Sequence, residues 1–141
     1  MDLSNLVSKE DTLSELEYNF KILIVEDDDI SYMLLNEVFS PYSVELIRAC
    51  DGEEAIKEFE LEKTCFDLVL MDIRLPNMNG YVATQKIKEI NPTIPVIAVT
   101  ACAHSQGIMN CYESGCDDFI AKPFDIKRIT SKIESYLVPK N

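Results

Sequence analysis

Apolar residues occur along this chain in two alternating patterns, short continuous runs and longer stretches in which they recur every three or four positions. The runs are bounded by turn-forming residues and predict five buried strands, at 21–25, 44–47, 66–71, 94–99 and 118–121. The longer stretches predict five amphipathic helices, around 29–40, 55–59, 81–90, 108–112 and 126–137. Strands that alternate with helices at crossover lengths form a parallel sheet covered on both faces, so we expect an α/β domain.

The order of the strands decides which strand ends lie together. For five such units we expect the order 2-1-3-4-5 of a flavodoxin-like, doubly wound sheet, whose topological switch point falls between the first and third strands. Glu26 and Asp27 follow the first strand, and Asp72 ends the third. Ligands bind at the carboxyl ends of the strands beside such a switch point. The pattern therefore predicts that three carboxylates meet in one crevice.

Three neighbouring carboxylates indicate a divalent metal site. They repel one another, and their pKa values rise unless a cation lies among them. Ligands that are all oxygen, with room for water, favour Mg²⁺ or Mn²⁺ over zinc. An alternative is that the acidic run 26–29 only caps the following helix, where negative charge suits the helix dipole. Capping suits Asp28 or Asp29, but it does not explain Asp72 at the end of another strand.

A hydroxyl and an amine are expected opposite these acids. Thr100 ends the fourth strand and Lys122 follows the fifth. A metal, an amine and a hydroxyl together suit a phosphoryl group, and a carboxylate can itself be the nucleophile. Asp72 is the candidate nucleophile because it stands alone at its strand end, whereas Glu26 and Asp27 form a pair suited to metal binding. Taken singly, Thr100 merely ends a strand and Lys122 is a solvated charge, but five such positions at strand ends favour a site.

Length and charge restrict the class of protein. The chain has 141 residues, enough for one domain, and we predict a linker or tail at 1–20, the domain at 21–138 and a tail at 139–141. Within the first segment, Thr12–Glu15 is an alternative start for a short helix. The net charge of −12 argues against direct binding of nucleic acid. No apolar run reaches the roughly 18 residues of a membrane span and no secretion signal is visible, so we expect a cytoplasmic chain without membrane contact.

Cysteine and histidine chemistry plays little part in this prediction. The five cysteines are an odd number without a C-x-x-C pair, and they show neither zinc spacing nor a disulfide framework. We expect them to be small apolar residues in a reducing compartment. His104 is the only histidine, which excludes a metal site built from several histidines.

Four segments of the chain resemble the receiver domain of two-component response regulators, and the resemblance extends from residue 21 to about 137. The segments are 22–28, 68–80, 97–101 and 118–124. Their order, spacing and position at strand ends all agree with that family. The resemblance implies a CheY-like phosphoacceptor in which Asp72 takes a phosphoryl group from a phosphohistidine. The phosphohistidine would belong to a histidine kinase or a histidine phosphotransfer domain.

The same resemblance implies a ligand set for Mg²⁺. The set consists of the side chains of Glu26, Asp27 and Asp72 and the backbone carbonyl of Arg74. Glu26 replaces an aspartate that is commoner in the family, and this frequent variant is compatible with metal binding. The side chain of Arg74, two residues after Asp72, would border the phosphoryl group and tune its hydrolysis.

The resemblance also implies a conformational switch. Thr100 and Lys122 would sense the phosphoryl group, and Phe119 occupies the position of the switch aromatic. That aromatic is often tyrosine, so Phe119 can act only by packing. Cys102, two residues after Thr100, would border the phosphoryl group as well, and the Lys122–Pro123 peptide bond would be cis.

Two kinds of receiver fit the chain. The segments 80–88 and 113–123 are similar to receivers at the C-terminus of hybrid sensor histidine kinases, in which case the first 20 residues are the linker from the kinase. The parent kinase could then be anchored in a membrane. A free-standing response regulator is the alternative, because no output domain follows the last helix. In both cases the first helix would dock the partner, and the face formed by helix 4, strand 5 and helix 5 would make state-dependent contacts, including a phosphorylation-dependent dimer.

Two other functions are rivals to the receiver prediction. A phosphohydrolase that works through an aspartyl phosphate carries a second acid two residues after its nucleophile, and here that residue is Arg74, which cannot be a general acid near neutral pH. A receiver that binds partners without being phosphorylated would not need Asp72, Thr100 and Lys122. A flavin-binding protein of this fold would need a phosphate-binding loop where this chain is acidic. We therefore expect no enzyme activity beyond self-dephosphorylation.

Overall fold

The computed structural model describes residues 20–61, 66–123 and 125–137. The predicted linker with its alternative helix at Thr12–Glu15, and the predicted C-terminal tail, lie outside these residues. The strands are β1 (Phe20–Val25), β2 (Val44–Ala49), β3 (Leu68–Asp72), β4 (Val96–Thr100) and β5 (Asp118–Ala121). The helices are α1 (Asp29–Phe39), α2 (Gly52–Leu61), α3 (Gly80–Ile90), α4 (Ser105–Glu113) and α5 (Ile126–Tyr136).

The five strands form one parallel sheet in the order β2-β1-β3-β4-β5, which confirms the predicted fold. Four of the five strands differ from the predicted bounds by one or two residues at one or both ends. Strand β2 continues to Ala49 because Arg48 and Ala49 pair with Ile24 and Val25, although Arg48 interrupts the apolar run. Strand β4 begins at Val96 and not at Ile94, because Pro95 between them has no N–H to give to a ladder.

Both faces of the sheet are buried, and successive strand residues point to opposite sides. On one side Ile22, Ile24, Leu68 and Leu70 pack with α1 and α5. On the other side the intervening residues of the same strands pack with α2, α3 and α4. This double burial explains why the strands are continuous apolar runs, and it leaves the strand ends as the place for polar side chains.

Four of the helices have a polar N-cap residue, and in α5 it is Asp125, whose Oδ1 accepts a hydrogen bond from Lys127 N at 3.0 Å. Asp28 caps α1 by accepting a hydrogen bond from Ser31 N at 2.8 Å, and Asn79 caps α3 by accepting one from Val82 N at 3.0 Å. His104 caps α4 through Nδ1, which accepts from Gly107 N at 3.3 Å. The capping interpretation of the acidic run is thus correct for Asp28.

Two features of composition have simple structural counterparts. Among the cysteines within the described ranges, Cys111 and Cys116 are buried, Cys50 is exposed, and all are free thiols. No helix in the described part of the chain combines the length and the apolar character that crossing a membrane requires.

Candidate metal and phosphoacceptor site

The structure brings together the three acids that the sequence singled out. Glu26, Asp27 and Asp72 each present a carboxylate oxygen, and these three atoms lie within 4.8 Å of one another. Glu26 is 1% exposed and Asp72 is 4% exposed, whereas Asp27 faces solvent. The cluster forms because β1 and β3 are neighbours in the sheet. Val25 of β1 pairs with Met71 of β3, so the next residues, Glu26 and Asp72, lie side by side. The donor set is entirely carboxylate oxygen and open to water on one side, which fits Mg²⁺.

The backbone around Asp72 fixes its side chain at the edge of the sheet. Asp72 Oδ1 accepts a hydrogen bond from Arg74 N at 3.1 Å, and Gly80 N donates to Ile73 O at 2.9 Å. A Cβ on Gly80 would collide with the carbonyl oxygen of Asp72 and come within 2.7 Å of Cα of Ile73. The loop between β3 and α3 therefore folds back closely under the nucleophile candidate, and only glycine allows this approach.

Lys122 points into the acid cluster from the end of β5. Its Nζ lies 3.3 Å from Glu26 Oε1 and 3.5 Å from Asp72 Oδ1. The Lys122 amide donates to Thr100 O at 2.8 Å, which ties the end of β5 to the end of β4. The Lys122–Pro123 peptide bond is cis. One ammonium group thus faces both buried carboxylates.

Thr100 and the residues that follow it form the opposite wall. The Thr100 side chain is buried, and its Oγ1 accepts a hydrogen bond from Cys102 N at 2.9 Å. Arg74 Nη2 lies 3.9 Å from Cys102 Sγ. Arg74 and Cys102, which the sequence marked separately as borders of the phosphoryl group, therefore contact each other.

Burial and charge act together on Glu26. Its pKa is raised to about 7, first because the carboxyl group is buried and then because of its hydrogen bond and charge interaction with Asp72. The backbone amide of Asp28, which donates to Glu26 Oε2 at 3.2 Å, and the charge of Lys122 lower the pKa and only partly compensate. A bound divalent cation would favour the ionised form, as expected for a cluster built to hold one.

Arg48 is a residue near the site that sequence reasoning missed. Its Nε donates to the backbone carbonyl of Glu26 at 3.0 Å, and its Nη1 lies 2.9 Å from Asp29 Oδ1. The guanidinium also stacks on the ring of Tyr32, 4.6 Å from the ring centroid. The only sequence signal was a cation near the carboxyl end of β2, on the same edge of the sheet as the acids.

Phe119 lies half-buried between α4 and α5. Its ring meets that of Tyr112 edge-on at 6.4 Å, and Lys132 Nζ lies 5.1 Å from its centroid. Lys132 Nζ also donates to Phe119 O at 2.7 Å and to Asp118 Oδ1 at 2.9 Å. Packing and cation–π contacts hold the ring, which is consistent with an aromatic that has no hydroxyl group.

Comparison with known families agrees with this geometry, because residues 22–134 match the family model described as response regulator receiver domain. The chain belongs to this family. One curated relative of this receiver domain is the sensor histidine kinase RcsC of Escherichia coli K12, 33% identical over 135 residues that cover 96% of this chain and 14% of RcsC. Another is the transcriptional regulatory protein RprY of Bacteroides fragilis, 34% identical over 125 residues that cover 87% of this chain and 51% of RprY. The receiver domain thus spans about half or less of these relatives.

Solved structures of receiver domains show the same fold. The CheX–CheY complex of Borrelia burgdorferi with BeF3 and Mg²⁺ aligns with a TM-score of 0.84 at 28% identity, covering 94% of this chain and all (100%) of the matched chain. The receiver domain of the sensor histidine kinase PA1611 of Pseudomonas aeruginosa aligns with a TM-score of 0.74 at 30% identity, covering 85% of this chain and 98% of that one. The PA1611 structure has a magnesium ion coordinated in its active-site cleft.

Proposed function

We propose that this receiver domain accepts a phosphoryl group on Asp72. The observation that carries the proposal is the position of Asp72, a buried carboxylate that shares a cluster with Glu26 and Asp27 and faces Lys122 at 3.5 Å. An oxygen of Asp72 attacks phosphorus, and the phosphorus–nitrogen bond of the donor phosphohistidine breaks, with its electron pair remaining on the imidazole nitrogen. No other group of the chain is then needed as a nucleophile.

The other residues of the site would hold Mg²⁺ or contact the phosphoryl oxygens, on which negative charge lies during the transfer. Glu26, Asp27, Asp72 and the backbone carbonyl of Arg74 would hold Mg²⁺, and the same oxygen ligands would accept Mn²⁺. When bound, Mg²⁺ would neutralise part of the charge on the phosphoryl oxygens. Lys122 would exchange its contacts with Glu26 and Asp72 for a phosphoryl oxygen.

The donor would be a histidine kinase or a histidine phosphotransfer domain that docks on α1. This helix begins beside the acid cluster, and Ile30 and Met33 on it are 70% and 64% exposed, with Leu34 also exposed. Apolar side chains that lie next to the nucleophile suit a helical protein partner, which would bury them while presenting its phosphohistidine.

The output of phosphorylation would be a change in the face formed by α4, β5 and α5. Thr100, at the end of β4, and Phe119, in β5, connect the phosphoryl group to this face. It carries exposed apolar side chains at Met109, Tyr112 and Ile126. Phosphorylation would shift the equilibrium between two arrangements of this face and so change its contacts with a partner or with a second copy of the chain.

The domain would belong to a hybrid histidine kinase in the cytoplasm, with 1–20 as the linker, 21–138 as the receiver and 139–141 as a tail. The relatives include a sensor histidine kinase, RcsC, and a transcriptional regulatory protein, RprY, so they are compatible with either kind of parent protein. A free-standing regulator is the alternative. The chain itself would be a phosphoacceptor without DNA-binding or enzyme activity, except for self-dephosphorylation.

The proposal is tested by intact mass after incubation with acetyl phosphate and Mg²⁺. We expect wild type to gain one phosphoryl group, EDTA to prevent the gain, and Asp72→Asn to show none. If wild type gains nothing, the protein is incubated with a histidine phosphotransfer domain that carries phosphohistidine. Absence of transfer there would support the alternative of a receiver that only binds partners.

A further inference from the structure

One arginine links both ends of the segment that carries two of the acids. Arg48 lies in β2 next to Ile24 of β1, and its three contacts are with Glu26, Asp29 and Tyr32. Glu26 is the first residue after β1, whereas Asp29 and Tyr32 form the first turn of α1. A single guanidinium group therefore connects the strand end, the start of the helix and the connection between them.

This connection carries charges that repel one another. Four acids follow β1 directly, and only Glu26 among them is buried. Besides Arg48, the connection is held by hydrogen bonds from Glu26 N to Ala49 O at 3.0 Å and from Asp28 N to Glu26 Oε2 at 3.2 Å, and by the Asp28 cap of α1. Arg48 adds a positive charge to this acidic segment. Its hydrogen bond to the Glu26 carbonyl also fixes the direction of that carbonyl, which a charge without a directed N–H group would not do.

We propose that Arg48 is a positioning residue for the metal site, which rests on the function proposed above. By holding the backbone of Glu26 and the first turn of α1, it keeps the carboxylates of Glu26 and Asp27 directed toward Asp72. Side chains that orient metal ligands from outside commonly decide how tightly a site binds its ion.

The charge of Arg48 and its positioning role predict opposite changes in Mg²⁺ affinity when the residue is replaced. A cation beside an acid cluster repels Mg²⁺, so removing Arg48 should tighten Mg²⁺ binding if only its charge mattered. If Arg48 positions the ligands, its removal weakens binding although a repelling charge has gone. Lysine should not substitute, because its ammonium group is a compact charge that lacks the fixed, forked N–H geometry of the guanidinium and the planar face that stacks on Tyr32.

The test is calorimetric titration with Mg²⁺ of wild type, Arg48→Lys and Arg48→Gln, at low and at high ionic strength. We expect both variants to raise the Kd for Mg²⁺ by about tenfold, with the difference preserved at high salt. Lys132→Gln is the matched control, because the Lys132 side chain is about as exposed as that of Arg48 (31% and 24%) and also forms an ion pair at 2.9 Å, with Asp118. It should leave the Kd for Mg²⁺ unchanged.

A charge-neutral variant covers the case in which the Arg48 variants do not fold. Tyr32→Leu removes the stacking partner without changing any charge, and we expect a smaller rise in the Kd for Mg²⁺. Binding to the Arg48 or Tyr32 variants that is as tight as to wild type, or tighter, would overturn the positioning role and leave the proposed function intact. Wild type that binds no Mg²⁺ would instead refute the metal site itself.

Discussion

Glu26 is the residue on which burial and charge act most strongly. Its pKa is raised from an ordinary value of 4.5 to about 7, chiefly by burial and next by Asp72. Between these two values the folded state binds a proton more tightly than the unfolded state does. The contribution of Glu26 to stability is therefore present at low pH and is lost as the pH rises through about 7.

This shift predicts how the metal-free protein responds to pH. In EDTA, the Glu26 contribution to the free energy of unfolding should fall by on the order of 3 kcal/mol between about pH 5 and pH 8. Urea denaturation across this range checks it, with Glu26→Gln as the comparison. The variant should lose much less stability over the same range, and Mg²⁺ should restore stability to wild type at the upper pH. A wild-type profile as flat as that of the variant would contradict the prediction.

The residues of the site differ in how far sequence could predict them. Glu26, Asp27, Asp72, Thr100 and Lys122 could be placed because each lies at a strand end, and the strand order then brings those ends together. Their individual roles stay predictions. Arg48 could not be found in this way, since its contacts depend on the β1–β2 register and on the direction of a long side chain.

At the scale of elements, two glycines provide a matched pair, because Gly80 begins α3 and Gly52 begins α2. A Cβ on Gly80 would press on the rigid backbone of Asp72 and Ile73, whereas a Cβ on Gly52 would meet only side chains, Met78 at 3.0 Å and the Cβ of Ala83 at 3.2 Å. Gly80→Ala should therefore lower the free energy of unfolding by about 1–3 kcal/mol, and Gly52→Ala by much less. Urea denaturation of both variants tests this, and equal losses would refute the close approach under Asp72.

A second pair of residues tests how α3 is fastened to the sheet. Lys88 Nζ donates to Ile94 O at 2.7 Å and to Asp117 Oδ2 at 2.8 Å, and the same Asp117 oxygen accepts from Val96 N. Lys88→Met should cost about 1–3 kcal/mol because Ile94 O loses this donor and the Asp117 carboxylate loses its ion-pair partner. Lys86→Met, on the exposed side of the same helix, is the control and should be nearly neutral in thermal denaturation. A neutral Lys88→Met would show that this network does not contribute to stability.

Elements were easier to predict than their ends. The five strands and five helices follow from apolar runs and spacing, because the sheet is buried on both faces. The start of β4 and the end of β2 were misjudged, since strand ends depend on pairing with neighbouring backbone and not on apolar character. The Lys88 network was not predicted either, because it joins α3 to two other segments far apart in sequence.

At the scale of the whole molecule, the strand order produces the candidate site. The order β2-β1-β3-β4-β5 places the ends of β1 and β3 side by side and brings Lys122 from the end of β5 to face them. The fold class and this convergence follow from the sequence because right-handed crossovers leave few arrangements for five such units. Partners and output do not follow from it, since they depend on the side chains exposed on the surface, which the strand order does not determine.

The most direct test of the account is chemical identification of the phosphorylated residue. Protein phosphorylated in the presence of Mg²⁺ is treated with sodium borohydride, which reduces an aspartyl phosphate to homoserine, and is then analysed by peptide mass spectrometry. We expect homoserine in place of Asp72 and at no other acid of the cluster. Reduction at Asp27, or phosphorylated protein that yields no homoserine at position 72, would contradict the assignment of Asp72 as the phosphoacceptor.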